Sequence, residues 1–372
     1  MKKRIDYYLL ATTFTLLALG FLFLSTLSAR DSLDKFGTTY YYLFHQLKSF
    51  IPALILAIIA FFIPLDLLKK ISLWLLIITF ILLLIVMIFG SNFWGAQRWI
   101  VVFGLVLQPS EILKLTSILY LSAWLANRMR EEKSRGAILA VKRASYNFIN
   151  LFLPFVILEV IISVIMIKQS DLSTLGIIGL TLLALYFFAK TPIWHTILAI
   201  FGAVAGLFTF IKIEPYRLER LLVFLHPDKD PQGASFQIGQ SLIALGSGGI
   251  LGKGLGMSAQ KFGFLPQAMT DSIFPIIGEE TGIIGCAILI TLFSLLLWRG
   301  LKISNESSDK FAKFVALGVT FWIVLQAFIN ISSSIGIWPL AGIPLPFFSY
   351  GGSHLLTEMI GIGLLLNISK NG

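Results

Sequence analysis

Charge is what this sequence has little of. Asp, Glu, Lys and Arg make up 13% of its 372 residues, against roughly 25% in a soluble domain, while 57% are hydrophobic. That scarcity excludes a soluble globular fold and leaves a chain whose length is spent in lipid. Cysteine is scarcer still. Cys286 stands alone inside an apolar run, which excludes an intrachain disulfide, a cysteine zinc site and a thiol relay. The four histidines, His45, His195, His226 and His354, lie far apart without HxxxH or HxxE spacing, so the expected metal site is none. No stretch of sequence repeats, and an inverted repeat of the transporter kind is not evident. No connection on the basic side is long enough for a soluble domain, so residues 1–372 read as a single integral membrane domain.

What is present is a series of apolar runs. Those at 7–28, 50–66, 72–90, 112–127, 148–167, 174–189, 193–211, 276–298, 311–330 and 353–368 are each of the order of the ~20 residues that cross a hydrocarbon core of about 30 Å. Backbone groups in lipid must bond within their own segment, and no alternating barrel pattern occurs. The expected fold is therefore all-α and polytopic, with about ten transmembrane helices. The first run lacks a small-residue cleavage site and is expected to remain as a span. Placing the N-terminus in the cytoplasm puts 17 of the 29 basic residues on the inner side, among them Lys2, Lys3, Arg4 and the block from Arg128 to Arg143. Ten spans return the C-terminus to the same side and leave one long extracytoplasmic loop at about 213–275. The net charge of +10 is then mostly cytoplasmic, where it suits anionic lipid and not nucleic acid.

Polar and glycine-rich sequence gathers in four outer stretches, 91–111, 168–174, 213–275 and 331–353, which meet only if the helices bundle around a shared outward cavity. The most informative is Leu265-Pro266-Gln267-Ala268-Met269-Thr270-Asp271-Ser272-Ile273-Phe274, followed by Gly278-Glu279-Glu280. A charge near the bilayer centre costs about 2.5–3.5 kcal/mol, so acids at a helix mouth line water, a partner charge or a reaction site. Asp271 reads either as a cap for the eighth span or as a reactive carboxylate; Glu279 and Glu280 lie deeper. The tract 245–256 holds six glycines in twelve residues but lacks GxxxxGK[ST] order, since Lys253 precedes Gly254; a re-entrant turn that packs closely fits it better than a nucleotide loop.

Further candidates carry two readings each. Gln108-Pro109-Ser110-Glu111 looks like a helix start, and Glu111 and Lys114, three apart, share a face. They form either a structural ion pair or, with Arg98, a phosphate site in which Glu111 holds Lys114. Asp171, in Gln169-Ser170-Asp171-Leu172-Ser173-Thr174, is either the cap of the sixth span or a substrate contact. Arg217 and Arg220 share a helical face, as a surface amphipathic helix or as a two-arginine clamp for pyrophosphate; Gln237 and Gln240-Ser241 follow them.

These residues carry a resemblance. Asn330, Gly336, Ile337, Pro339, Gly342, Ile343, Phe347, Phe348, Ser349, Tyr350, Gly351, Gly352 and Ser353 fall at the signature spacing of the SEDS family of bacterial wall synthesis, the FtsW/RodA/SpoVE proteins. Gly95-Ala96-Gln97-Arg98-Trp99, Gln108-Pro109-Ser110-Glu111, the Arg217–Arg220 segment and Thr270-Asp271 with Gly278-Glu279-Glu280 match in the same order, so the resemblance covers nearly the whole chain. It departs from the family at Ser170, Ser173, Gln267, Ser272, Thr281 and His354, where Pro, Gly, Glu, Phe, Leu, and Ser or Ala are usual. Tyr216-Arg217, Phe236-Gln237 and Gln260-Lys261-Phe262 look like the FtsW and SpoVE branch, whereas residues 342–346 look like RodA, and the FtsW and SpoVE branch is the one favoured.

The resemblance implies a peptidoglycan glycosyltransferase in the bacterial cytoplasmic membrane, polymerising lipid II on its outer face, with Asp271 as catalytic base. It implies Arg98, Lys114, Arg217, Arg220 and Lys253 as stabilisers of the pyrophosphate leaving group. Glu111, Asp171, Gln240 and Ser349 complete the expected substrate site. A divalent cation, Mg or Mn, would also neutralise pyrophosphate, although no dedicated carboxylate cage is visible. The implied partner is a class B penicillin-binding protein. Two other functions use the same features: a lipid II flippase, which needs polar residues along a path to the cytoplasm, and a non-catalytic scaffold for the transpeptidase. Acids and bases gather at the outer mouth, with Glu159 the main exception, which favours the enzyme over the flippase.

Overall fold

The computed structural model describes residues 5–93, 96–102, 105–128, 147–213, 224 and 235–371. Among them are ten long helices, one for each apolar run. In chain order they are α1 (Tyr7–Phe36), α2 (Tyr41–Phe62), α3 (Leu65–Phe89), α4 (Pro109–Arg128), α5 (Leu153–Lys168, entered through a π turn at Phe148–Phe152), α6 (Leu172–Phe188) and α7 (Ile193–Ile213). A short α8 (Phe236–Gly248) precedes α9 (Ile273–Glu306), α10 (Lys310–Ser334) and α11 (Gly352–Asn371). Six are long and apolar enough to cross a membrane on length and composition alone, and Leu172–Phe188 and Ile193–Gly206 form shorter apolar helices. The other two, α4 and α11, also carry buried ionisable residues: Glu111 and Lys114 on one, His354 and Glu358 on the other. The chain is a multi-pass membrane protein of all-α class.

Several features differ from the sequence expectation, and three of the differences have a local reason. α1 continues past residue 28 to Phe36, supported by Arg30–Asp34 and Asp31–Lys35 pairs at i,i+4, and ends at Gly37 in the left-handed region (φ 71°). α2 accordingly begins at Tyr41, not 50, and contains Pro52. Between α3 and α4, where an outer polar stretch and no strand is expected, the described residues form an antiparallel meander of β1 (Ser91–Phe93), β2 (Ala96–Val102) and β3 (Leu105–Leu107), with Ile100 opposite Leu107 and Val102 opposite Leu105. β-Branched residues in alternate pairing favour that geometry in a segment too short to span.

The third difference lies in α9, which is broken at Gly282 (φ 67°, ψ −166°). The glycine-rich turn after α8 docks into this break. Lys253 N donates to Glu279 O (2.9 Å), Gly254 N to Glu280 O (3.0 Å) and Ile283 N to Gly249 O (3.0 Å), so peptide groups freed by the broken helix find partners. Such contact requires the absence of side chains. A Cβ on Gly252 would lie 2.2 Å from Glu280 O, and one on Gly282 would lie 2.4 Å from Ile250 O. The expectation that residues 245–256 turn and pack closely agrees with this geometry.

α10 runs through the bundle with α4, α6, α9 and α11 against it, while α11 packs along α2. Phe311, Trp322 and Ile323 of α10, Leu113 and Ile118 of α4 and Leu365 of α11 are fully buried there. By the lysine and arginine orientation, the ends that carry residues 91–111, 168–174, 249–272 and 335–351 all face outward.

Candidate functional site

Asp271 sits on the last residues of a turn that enters α9. Thr270 N and Ser272 N both donate to Gln267 O (3.0 and 3.2 Å), with Gln267 in the left-handed region (φ 54°). Ser272 occupies the N-cap position of α9, so Asp271 stands one residue outside the helix, half-buried. Asn330 Nδ2, at the end of α10, donates to the Asp271 carbonyl (2.8 Å) and to Ile343 O (2.7 Å). Gly342 (φ 60°) faces the carboxylate: a Cβ there would lie 3.5 Å from Asp271 Oδ2.

The loop 335–351 supplies the other wall. Ser349 Oγ, fully buried, accepts from Leu345 N (2.7 Å) and donates to Thr270 O, and Tyr350 N donates to Met269 O (2.7 Å). Ser349 thus joins the loop to the Asp271 turn through backbone. Gln46 of α2 brackets the loop's far end, accepting from Gly351 N (3.0 Å) and donating to Gly351 O (3.4 Å).

Asp171 lies beside this wall. It is the N-cap of α6 through Thr174 N (3.4 Å), and its Oδ2 also receives Ser110 Oγ (3.0 Å) and Gln108 Nε2 (3.1 Å). The capping reading and a tie to the start of α4 are therefore both realised in one carboxylate. Ser173 donates to Ala341 O, next to Gly342, so the Asp171 and Asp271 clusters share a border. Arg98 turns its guanidinium to the end of α5, with Nε 2.9 Å from Gln169 O and a terminal nitrogen 2.6 Å from Ser170 O. Cationic donors suit the last carbonyls of a helix.

The structural reading also holds for Glu111 and Lys114, which meet at 2.7 Å with Lys114 buried. Lys114 Nζ donates to Gln326 Oε1 (2.8 Å) and lies 5.3 Å from the Trp322 ring centroid. Gln326 in turn donates to Pro344 O (3.0 Å), and Glu358 Oε2 accepts from Phe347 N (3.0 Å). This buried network holds the 343–347 backbone from beneath, so Lys114 reaches the site through Gln326 and not as a surface cation.

Lys253 pairs with Glu279 at 2.7 Å and keeps its end partly in the open. Glu279 also accepts from Ser247 Oγ (3.3 Å), Ser258 Oγ, Ala259 N (3.2 Å) and Gln260 N (3.3 Å), so this one carboxylate organises the whole glycine-rich turn. Gln240, half-buried on α8, lies one turn beyond Gln237, whose Nε2 donates to Ser272 Oγ (2.9 Å). Arg217 and Arg220 lie outside the described residues. Sequence reasoning did not single out Asn330, Gln326 and Gln237 as site residues. Asn330 stood in the signature stretch, but its partners are 13 and 59 residues away and no local pattern shows them.

A half-buried carboxylate at an outward loop, backed by fixed peptide groups and bordered by a glycine, can accept a proton from a hydroxyl group delivered at the membrane surface. Comparison with known proteins supplies the context. The family model FtsW/RodA/SpoVE, described as a cell cycle protein, matches residues 7–372. A probable peptidoglycan glycosyltransferase FtsW of Coxiella burnetii is 34% identical over 369 residues, covering 98% of this chain and 96% of that protein. The stage V sporulation protein E of Bacillus subtilis is 35% identical over 375 residues, covering 98% and 97%. Among solved structures, a chain of a peptidoglycan synthase complex superposes with a TM-score of 0.78 at 24% identity, covering 99% of this chain and 98% of that one. The rod shape determining protein RodA of Thermus thermophilus gives 0.68 at 23%, covering 99% and 98%. At these identities the structural likeness establishes the fold.

Proposed function

This chain belongs to the FtsW/RodA/SpoVE family, and on that premise we propose that it is a peptidoglycan glycosyltransferase that polymerises lipid II on the outer face of the cytoplasmic membrane. The observation that carries the chemistry is Asp271, held by its own peptide at the outer end of α9 with its carboxylate against Gly342.

In this reading the acceptor sugar's 4-hydroxyl loses its proton to Asp271 as its oxygen attacks the anomeric carbon of the donor. The bond from that carbon to the pyrophosphate breaks, and undecaprenyl pyrophosphate leaves with the electron pair. General-base assistance of this kind contributes roughly 10²–10⁴-fold. Charge growing on the leaving group is met by fixed cations, which act more strongly in a dry cavity than in water. Lys253 and Arg98 reach the outer surface in part and are the candidates among the described residues, with Arg217 and Arg220 beside them in the sequence argument. Lys114, with Glu111, acts from below on the loop that faces Asp271. Asp171 orders the border of the site, and Gln240 and Ser349 lie along α8 and the signature loop. Among the described residues no three His, Cys, Asp or Glu side chains converge on a metal-sized site for Mg or Mn. The partner in this reading is a class B penicillin-binding protein.

The test is polymerisation of labelled lipid II by the purified protein, alone and with that partner, with and without Mg or Mn, comparing wild type with Asp271→Asn. Glycan made by wild type and not by an equally folded variant supports the reading. A wild type that makes no glycan under any condition but moves lipid II across liposomes replaces it with the flippase, and unimpaired Asp271→Asn cells point to the scaffold.

A further inference from the structure

Asn330 lies on α10 one turn beyond Gln326, so the two carboxamides share the face that meets residues 343–344. Each hydrogen of its Nδ2 group goes to a different loop: one to the Asp271 carbonyl at 2.8 Å, the other to Ile343 O at 2.7 Å. The residue is 1% exposed, and among the described residues Oδ1 receives no hydrogen bond. The two carbonyls alone therefore set the orientation of the amide. Turning it over would bring Oδ1 against two other acceptors and leave the donors without partners.

Both loops depend on such fastening, because neither is held by regular structure. Gln267 (φ 54°), Gly342 (φ 60°) and Phe347 (φ 66°) are all in the left-handed region, a conformation that non-glycine residues keep only where the surroundings fix it. Ser349 and Tyr350 fasten residues 269 and 270 to the signature loop, while Asn330 grips the peptide of Asp271 itself.

We propose that Asn330 is a positioning residue for glycosyl transfer, whose carboxamide sets the placement of the Asp271 carboxylate relative to Gly342 and hence to the acceptor hydroxyl. This rests on the reading of Asp271 as the base. Misplacing a catalytic group by 1 Å costs about 10²-fold, so loss of the clamp is expected in the chemical step and not in substrate binding.

The test is the initial rate of lipid II polymerisation against lipid II concentration for Asn330→Ala, Asn330→Asp, Ser334→Ala and Asp271→Asn, with hydrogen exchange on each protein. Asn330→Ala is expected to lower kcat about 10- to 100-fold while KM stays within about twofold of wild type, and to speed exchange in 265–273 with the bundle helices unchanged. Asn330→Asp, which sets an acceptor against both carbonyls, should fall at least as far. Among the described residues Ser334 Oγ bonds back to Asn330 O in its own helix (2.9 Å), and Ser334→Ala should keep the wild-type kcat. An unchanged kcat in Asn330→Ala overturns the proposal. So does a rise in KM with faster exchange across the whole bundle, which marks a merely structural residue. If Asp271→Asn retains the wild-type rate, or wild type makes no glycan, the underlying reading fails first. If Asp271→Asn is dead while Asn330→Ala is fast, the positioning role alone fails.

Discussion

Two lysine–glutamate pairs in this molecule have the same 2.7 Å separation and opposite circumstances. Lys114 is 2% exposed and closed in by Gln326 and Trp322, whereas Lys253 is 38% exposed and its pair lies on the glycine-rich turn. In the first pair the cation is saturated; in the second the carboxylate is, with Ser247, Ser258, Ala259 and Gln260 all donating to Glu279. Equal distance therefore carries unequal consequence. The inner pair is a structural post, because neither charge survives alone in a low-dielectric interior. The outer pair leaves its ammonium able to exchange Glu279 for an arriving anion, because the carboxylate keeps four other donors when the lysine leaves.

The largest effect that breaks this comparison should come from Lys114→Ala. It strands Glu111 in the bundle, and removing one partner of a buried pair costs about 3–5 kcal/mol. Thermal unfolding in detergent should fall accordingly, and the double variant Glu111→Leu with Lys114→Met should recover much of the loss. An unchanged unfolding temperature for Lys114→Ala would show that the inner pair carries no more weight than the outer one.

Gly282→Ala should come next. The residue has φ 67°, which costs a side-chain-bearing residue about 1–3 kcal/mol, and the new methyl group would lie 2.4 Å from Ile250 O. The glycine-rich turn is expected to undock, seen as faster hydrogen exchange in residues 249–262 with α10 and α11 unaltered. If exchange there stays at the wild-type rate, the turn is held by Glu279 alone and the break in α9 has no part in it.

What the sequence makes legible follows the range of each interaction. Apolar run length is local, so all ten helices can be read, and Glu111 and Lys114 can be paired because i,i+3 spacing is local too. The depth of that pair cannot be read, since α10 and α11 bury it from more than 200 residues away. For the same reason Lys253 looks like a free cation until Glu279, 26 residues on, is brought to it by the break at Gly282. The limits of α1 and α2 mislead because residues 29–36 and 41–49 are polar and helical at once, a combination that hydropathy alone reads as a loop. Asp271 is legible by its motif, whereas the amide that holds it is a tertiary fact.

The smallest effect on stability, and the one that sharpens the comparison most, should come from Lys253→Ala. A half-exposed pair contributes about 0.2–1 kcal/mol, so the unfolding temperature should hardly move, and Glu279 keeps the turn folded through its remaining donors. If Lys253 exchanges its carboxylate for the pyrophosphate of an arriving lipid, the variant should instead show a raised KM for lipid II. The contrast with wild type should shrink as salt is added, because a partly exposed charge is screened within a Debye length of about 8 Å at 0.15 M. Lys253→Arg should restore much of the affinity, since a guanidinium binds phosphate oxygens at least as well. A variant with wild-type KM at every salt concentration would make Lys253 as purely structural as Lys114, and the difference in exposure between the two pairs would have no functional meaning.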